Sequence, residues 1–341
     1  MVLPALIKLG TERRSFDVLV VRGTRVLGLP GLLAGRLLGK PVVLQAEVNG
    51  ELSGEVYYWG TFLARRPLRD LVRLATAARN LLLRDASAFV AMSTLIRDEF
   101  VAAGAPEDRV HLVPHGIDTE RFRPATGEER RALRAALGWP EDALALLYTG
   151  RLLRGKGLET LLSAFRDLTR DEPRALLAIV GTGHGQALSV EDQLRTAAAA
   201  ADLGGRVLLT GRVDNVEDYL RSSDVFVFPS EFEALGLSLI EAAACGLPTV
   251  GSRTGGIVDV IENESSGFLV PAGDAQSLGL ALRRLLEDEA LRGRLGARGR
   301  ELACERFDHA QNVARYEALF RELSRACSRA HAPRAGAAPL R

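Results

Sequence analysis

The chain has 341 residues, 47% hydrophobic and 26% charged, with a formal net charge of +1. That suits a soluble protein of two ordinary domains and gives no ground for nucleic acid or an acidic partner. No apolar run is long enough to span a bilayer, and the first fifteen residues turn charged too early for a signal peptide.

The elements follow in order. Residues 16–21, "FDVLVV", read as a short buried strand, and 29–39 as a helix stopping at Gly39. Residues 40–47 form the next strand, and 62–84 an amphipathic helix broken near Pro67. A strand at 86–93 and a helix at 94–104 precede 109–124, a strand that runs into an interdomain linker. A second series alternates strands at 143–150, 175–183, 206–211, 225–230, 248–252 and 267–271 with helices at 158–170, 190–202, 215–222 and 257–262. Such alternation means parallel sheets covered on both faces. Two series predict two doubly wound domains, with a ligand beyond the carboxyl ends of their strands. The tail, "AHAPRAGAAPLR", has a disordered composition.

Charge then narrows the search. Lysine occurs only as Lys8, Lys40 and Lys156. Lys156 lies in "YTGRLLRGKGLET", where Arg151 and Lys156 flank glycines ahead of a helix; a helix start with two cations can hold a diphosphate. The stretch also fits G-x4-G-K of the P-loop, but Gly157 stands where that loop needs Ser or Thr for magnesium. "VGTGHGQ" at 180–186 has the wrong spacing for a dinucleotide fingerprint and reads as a tight turn. In "SRTGGIVDV", Gly255 and Gly256 precede a short helix, either as a plain turn or as a nest of amides for an anion. The cysteines, Cys245, Cys304 and Cys327, lack metal or redox spacing and read as reduced cytosolic thiols.

The stretch "FEALGLSLIEAAACGLP" carries two acids. Glu233 sits on a turn that Gly236 lets bend close to a ligand. Glu241 sits one helical turn past Leu237, among apolar neighbours, where a charge needs a partner or a ligand. One carboxylate can grip one polyhydroxyl group while the other grips a second.

This arrangement resembles the E-x7-E motif of glycosyltransferase family 4, retaining enzymes of the two-domain GT-B fold. The resemblance runs from Phe16 to Tyr316 through "HGIDTERFRP", "GRLLRGKGLETLL", "VGTGHGQ", "LTGRV", "VFVFPSEFEALGLSLIEAAACGLPTV", "TGGIVDVI" and "GFLVPAGD". It implies an α/β chain of two Rossmann-like domains facing across a cleft. It also implies that Glu233 binds the donor sugar and Glu241 the ribose, that Arg151 and Lys156 hold the diphosphate, and that Val213 touches the base. Gly236, Leu237, Gly255 and Gly256 complete the nucleotide-sugar site, and His115 keeps a structural role. The implied reaction moves a sugar (of hexosyl type, as in polysaccharide biosynthesis) from a nucleotide-diphosphate sugar to a glycan, lipid-linked or small-molecule hydroxyl. Configuration is retained, no metal or other cofactor takes part, and the leaving phosphate takes the acceptor proton.

The expected domains are 1–124 on the acceptor side, 125–310 for the nucleotide sugar, a helix at 311–327 returning to the first domain, and a disordered 328–341. The first domain looks incomplete, because "FDVLVV" resembles a later strand of that fold. Asn49 and Glu51 are acceptor-side candidates. Residues 62–84 carry Arg65, Arg66, Arg69, Arg73, Arg79 and Arg84 against Asp70 alone, with leucines on one side. They can rest on an anionic membrane, or cover the sheet as an ordinary helix. The expected location is cytoplasmic, at the inner face of the membrane. Two rival readings keep the fold: a sugar-nucleotide epimerase and a non-catalytic glycosyltransferase-like subunit.

Overall fold

Residues 2–54 and 67–331 are described by the computed structural model. They divide into two units, Met1–Pro114 with Asn312–Arg341, and His115–Gln311.

The first unit runs α1 (Val2–Thr11), β1 (Leu19–Arg22), α2 (Thr24–Leu38), β2 (Val42–Gln45), α3 (Leu68–Leu83), β3 (Ala88–Ala91), α4 (Thr94–Ala102) and β4 (Val110–Leu112). The strands pair in parallel in the order β1-β2-β3-β4. β2 and β3 are buried along their whole length, as strands covered on both faces must be. Ser93 caps α4 by accepting from the Ile96 amide. α2 begins at Thr24, five residues before the expected start at Leu29, with Pro30 inside it. Of the expected helix at 62–84, residues 62–66 lie outside the described residues.

The second unit runs α5 (Gly127–Leu137), β5 (Leu144–Thr149), α6 (Leu158–Leu168), β6 (Ala175–Val180), α7 (Glu191–Ala198), β7 (Val207–Gly211), α8 (Val216–Ser222), β8 (Val225–Phe228), α9 (Leu237–Ala244), β9 (Thr249–Ser252), α10 (Ile257–Val260), β10 (Gly267–Val270), α11 (Ala275–Glu287) and α12 (Glu289–Phe307). Its parallel sheet has the order β10-β9-β8-β5-β6-β7. β5, β6 and β8 are buried throughout, as their unbroken apolar runs require. Thr126 and Glu129 close a capping box on α5.

Residues 115–124, expected as a linker, belong to the second unit. Ile117 exchanges backbone hydrogen bonds with Phe307 and His309, and the Arg300 guanidinium donates to the carbonyls of Thr119, Phe122 and Ala244. These bonds fix the segment, so the division falls at 114/115. The last helix, α13 (His309–His331), passes from one unit to the other at 311/312. Its Tyr316, Leu319, Phe320 and Leu323 pack on Val43, Ala88, Val90 and Val113 of the first unit's core. Residues 328–331, expected as disordered tail, are the helix's end; 332–341 lie outside the described residues.

Candidate functional site

Strand order locates the site. β5 starts near the middle of the second sheet, the chain moves out through β6 and β7, then returns to β8 on the other side. Where the winding reverses, between β5 and β8, the loops part and leave a crevice at the strands' carboxyl ends. A cavity of about 350 Å³ opens over the carboxyl ends of β5, β6 and β7, against α9, lined among others by Gly150, Arg151, Gly181, Val213, Ser238 and Glu241.

The loop from β5 to α6 is held close to the sheet. Tyr148 is fully buried, stacks 6.3 Å from Phe228, and donates its hydroxyl to the Arg151 carbonyl at 3.1 Å. Burial, reinforced by the charge of Glu233, pushes the Tyr148 phenol up and keeps it a neutral donor. Gly157 caps α6 at φ +67°, and a Cβ there would lie 2.0 Å from the Pro229 carbonyl oxygen. Only glycine fits that contact, and it seats Lys156 beside the turn after β8. The glycines of "VGTGHGQ" serve the same packing: a Cβ on Gly181 would lie 1.8 Å from the Gly150 oxygen. They make a tight turn, as the spacing suggested.

The turn after β8 presents the first acid. Lys156 Nζ lies 2.7 Å from Glu233 Oε2, and both side chains are more than four-fifths buried. Gly236, at φ +93°, starts α9, whose first residue Leu237 is exposed. The Gly256 amide donates to the Glu233 carbonyl at 3.1 Å, so the Gly255–Gly256 turn braces the turn that carries the acid. A Cβ on Gly256 would lie 2.3 Å from the Ala234 oxygen.

The second acid faces the cavity from α9. Burial pushes the Glu241 carboxyl up; the Arg121 charge opposes this and Glu217 adds to it. Arg121 is itself held by Glu217 at 2.8 Å. Glu241 is thus a poorly hydrated acid with a guanidinium in its field, the setting in which a carboxylate gains most from a ligand hydroxyl.

Arg151, Val213 and Glu241 therefore line one cavity, with the Lys156–Glu233 pair joined to it through Tyr148 and the Arg151 loop. The acceptor-side candidates differ. Glu51 is buried and accepts from the Thr24 amide and hydroxyl and from the Arg25, Glu47 and Val48 amides. Its carboxylate ties the start of α2 to the loop after β2, so it has a structural task. Asn49 is half-buried in the same loop. The sequence reading missed Ser238, one helical turn before Glu241 and so on the same face of α9. It also missed Arg121, although "HGIDTERFRP" contains it. Among the described residues no three His, Cys, Asp or Glu side chains gather as a metal-binding group, and no helix is long and apolar enough to cross a membrane.

Comparison with known proteins gives consistent matches. The family described as glycosyl transferases group 1 matches residues 129–302, and a glycosyl transferase 4-like domain matches 2–116. D-inositol 3-phosphate glycosyltransferase of Streptomyces bingchenggensis is 35% identical over 230 residues, 65% of this chain and 50% of the relative. Amylovoran biosynthesis glycosyltransferase AmsK of Erwinia amylovora is 31% identical over 303 residues, 85% of this chain and 66% of AmsK. The chain spans about half the length of the inositol-phosphate relatives it matches. Among solved structures, Anabaena HepE in complex with UDP superposes with a TM-score of 0.79 at 20% identity, covering 94% of this chain and 82% of HepE. Sucrose-phosphate synthase of Thermosynechococcus elongatus superposes with a TM-score of 0.75 at 26% identity, covering 94% and 77%. The two parallel sheets are those of the GT-B fold.

Proposed function

Because the chain belongs to the glycosyl transferases group 1 family, we propose that it moves a sugar from a nucleotide-diphosphate sugar to an acceptor hydroxyl, with retention and without a metal. The observation that carries this reading is a cavity lined by Arg151, Val213 and Glu241, with the Lys156–Glu233 ion pair on the loops after β5 and β8. HepE, a fold neighbour, has been solved with UDP and with UDP-glucose, which supports a uridine nucleotide as the donor class.

In this reading Glu241 accepts from the ribose hydroxyls and Val213 flanks the base. Arg151 and Lys156 take the diphosphate oxygens, with the backbone at Gly255 and Gly256 close by. Glu233 accepts from hydroxyls of the donor sugar. The anomeric C–O bond to the diphosphate breaks, and charge builds on the leaving oxygen beside the two cations, which stabilise it more than they stabilised the donor. The acceptor oxygen attacks the anomeric carbon from the same face, and its proton passes to the leaving phosphate. Lys156 comes fixed by its ion pair, so its charge needs no reorganisation at the moment of reaction. The acceptor class, a glycan or a lipid-linked hydroxyl, and a cytoplasmic location belong to the same proposal.

The test is turnover of UDP-, GDP- and ADP-glucose by the full chain, with and without EDTA, with the anomer of the product read by NMR. The expected result is consumption of one donor, undiminished by EDTA, with the anomer retained. Loss of turnover in EDTA restored by magnesium, or an inverted product, would sink the corresponding part. Binding of NAD in place of any nucleotide sugar would sink the whole.

A further inference from the structure

Residues 118–122 hold a cation against the two helices that wall the candidate cavity. Asp118 sets their shape: its carboxylate accepts from the Glu120 and Arg121 amides, each at 3.0 Å, and its carbonyl accepts from the Phe122 amide. The Arg300 guanidinium of α12 then binds the carbonyls of Thr119 and Phe122 together with that of Ala244, the last residue of α9. The turn is thereby pinned to the helix that carries Glu241.

From that turn Arg121 reaches the start of α8. Its Nη2 lies 2.8 Å from Glu217 Oε2 and 3.5 Å from the Asp214 carbonyl, and the neighbouring Val213 and Val216 line the cavity. Burial disfavours the Glu241 carboxylate, the Arg121 charge favours it, and Glu217 disfavours it. The other cations around α9 are placed differently. Arg221 of α8 pairs with Glu129 at 2.9 Å, Arg300 is engaged by carbonyls, and Arg151 and Arg212 line the cavity from the loops after β5 and β7.

The Arg121 side chain is 47% exposed, and an ion pair so open to water contributes little to stability. Its charge beside the cavity therefore calls for another task. A carboxylate accepts from two hydroxyls at once, whereas a carboxylic acid gives up part of that capacity to its proton. We propose that Arg121, held by Glu217, is a positioning residue for Glu241: its charge holds the carboxylate ready to receive neighbouring hydroxyls of the ligand. Arg121 acts through Glu241 and need not touch the nucleotide. The ligand's identity rests on the nucleotide reading of the cavity; the coupling of Arg121 to Glu241 does not.

The test is a cycle of Arg121→Met and Glu241→Gln in the full chain, read by thermal melts at pH 7 and pH 4 and by calorimetric titration of UDP at pH 6 and pH 8. Glu241→Gln should raise Tm at pH 7 by more in the Arg121→Met chain than in the wild type, because ionising Glu241 is harder without the guanidinium. Near pH 4 the gain should vanish in both. Arg121→Met should weaken UDP binding roughly three- to tenfold at pH 6 and less at pH 8. The ratio between the two chains cancels the nucleotide's own titration. Arg121→Lys keeps the charge and should keep the wild-type profile. Equal Tm gains in the two backgrounds overturn the proposal. So does an affinity ratio that is the same at both pH values, or an Arg121→Lys chain that behaves like Arg121→Met. A wild-type chain that does not bind UDP sinks the nucleotide reading instead, and the melts still decide whether Arg121 acts on Glu241.

Discussion

Lys156 and Glu233, 77 positions apart in the chain, meet at 2.7 Å where two strand ends part. Each holds the other: the acid fixes where the ammonium points, and the ammonium fixes where the carboxylate is aimed. In the proposed reading the cation takes the phosphate and the acid the sugar, each already oriented by the other.

It follows that Lys156→Ala reduces turnover by roughly 10²–10³-fold, the usual loss for one donor at a developing oxyanion. Glu233→Gln keeps the shape and reduces turnover while changing nucleotide affinity by less than about threefold, since uniform binding is preserved. Steady-state kinetics with a nucleotide-affinity measurement separate the two.

Glu241 predicts an opposition between stability and binding. Its carboxyl is pushed up by burial, so the folded chain binds a proton there more readily than the unfolded chain. Its ionisation therefore penalises the fold, absent below the ordinary carboxylate value and growing as pH rises through the raised one. Glu241→Gln should raise Tm at pH 7 and leave it unchanged near pH 4. Glu241→Ala should weaken nucleotide binding by about 10–100-fold, as loss of hydrogen bonds to a charged acceptor does. Calorimetric melts at the two pH values check the first outcome.

Away from the site, Arg134 is buried with Nη2 2.6 Å from Asp224 Oδ2, and it also donates to the carbonyls of Ser222, Glu141 and Ala143. Arg134→Met leaves the acid and three carbonyls with fewer donors, at about 3–5 kcal/mol of stability. Nucleotide affinity measured well below the melting temperature should not change, because no site residue touches this network.

Two glycines of α12, three residues apart, should respond with opposite sign. Gly293 faces open space, so Gly293→Ala stabilises by roughly 0.5–1 kcal/mol through helix propensity. On Gly296 a Cβ would lie 2.1 Å from the Gly246 carbonyl oxygen, so Gly296→Ala should cost roughly 1–3 kcal/mol. Denaturant melts of the two variants check the contrast.

Those glycines also show where the sequence was hard to read. The strands were plain, because parallel strands buried on both faces are unbroken apolar runs such as "ALLAIV". No helix was expected at α12, whose Gly296 and Gly299 form the face on which it approaches α9. The second unit's loops were legible because cations, glycines and acids recur wherever a strand yields to a helix. Ser238 and Arg121 were not, because a lone hydroxyl and one arginine among many carry no pattern. Glu51 misled because an acid after a strand end looks the same whether it awaits a ligand or holds a loop. Only its five backbone and hydroxyl donors decide. The leucines of α3 gave no single direction: Leu83 is buried, whereas Leu71, Leu74 and Leu81 are exposed.

The central claim is that the cavity at the ends of β5, β6 and β7, beside α9, takes a nucleotide diphosphate. Calorimetric titration of UDP into the full chain in EDTA, repeated with Glu241→Ala and Arg151→Ala, tests it most directly. The account predicts saturable one-site binding that each substitution weakens roughly tenfold or more. Absence of binding by UDP, GDP and ADP alike, or binding that both substitutions leave unchanged, would contradict it.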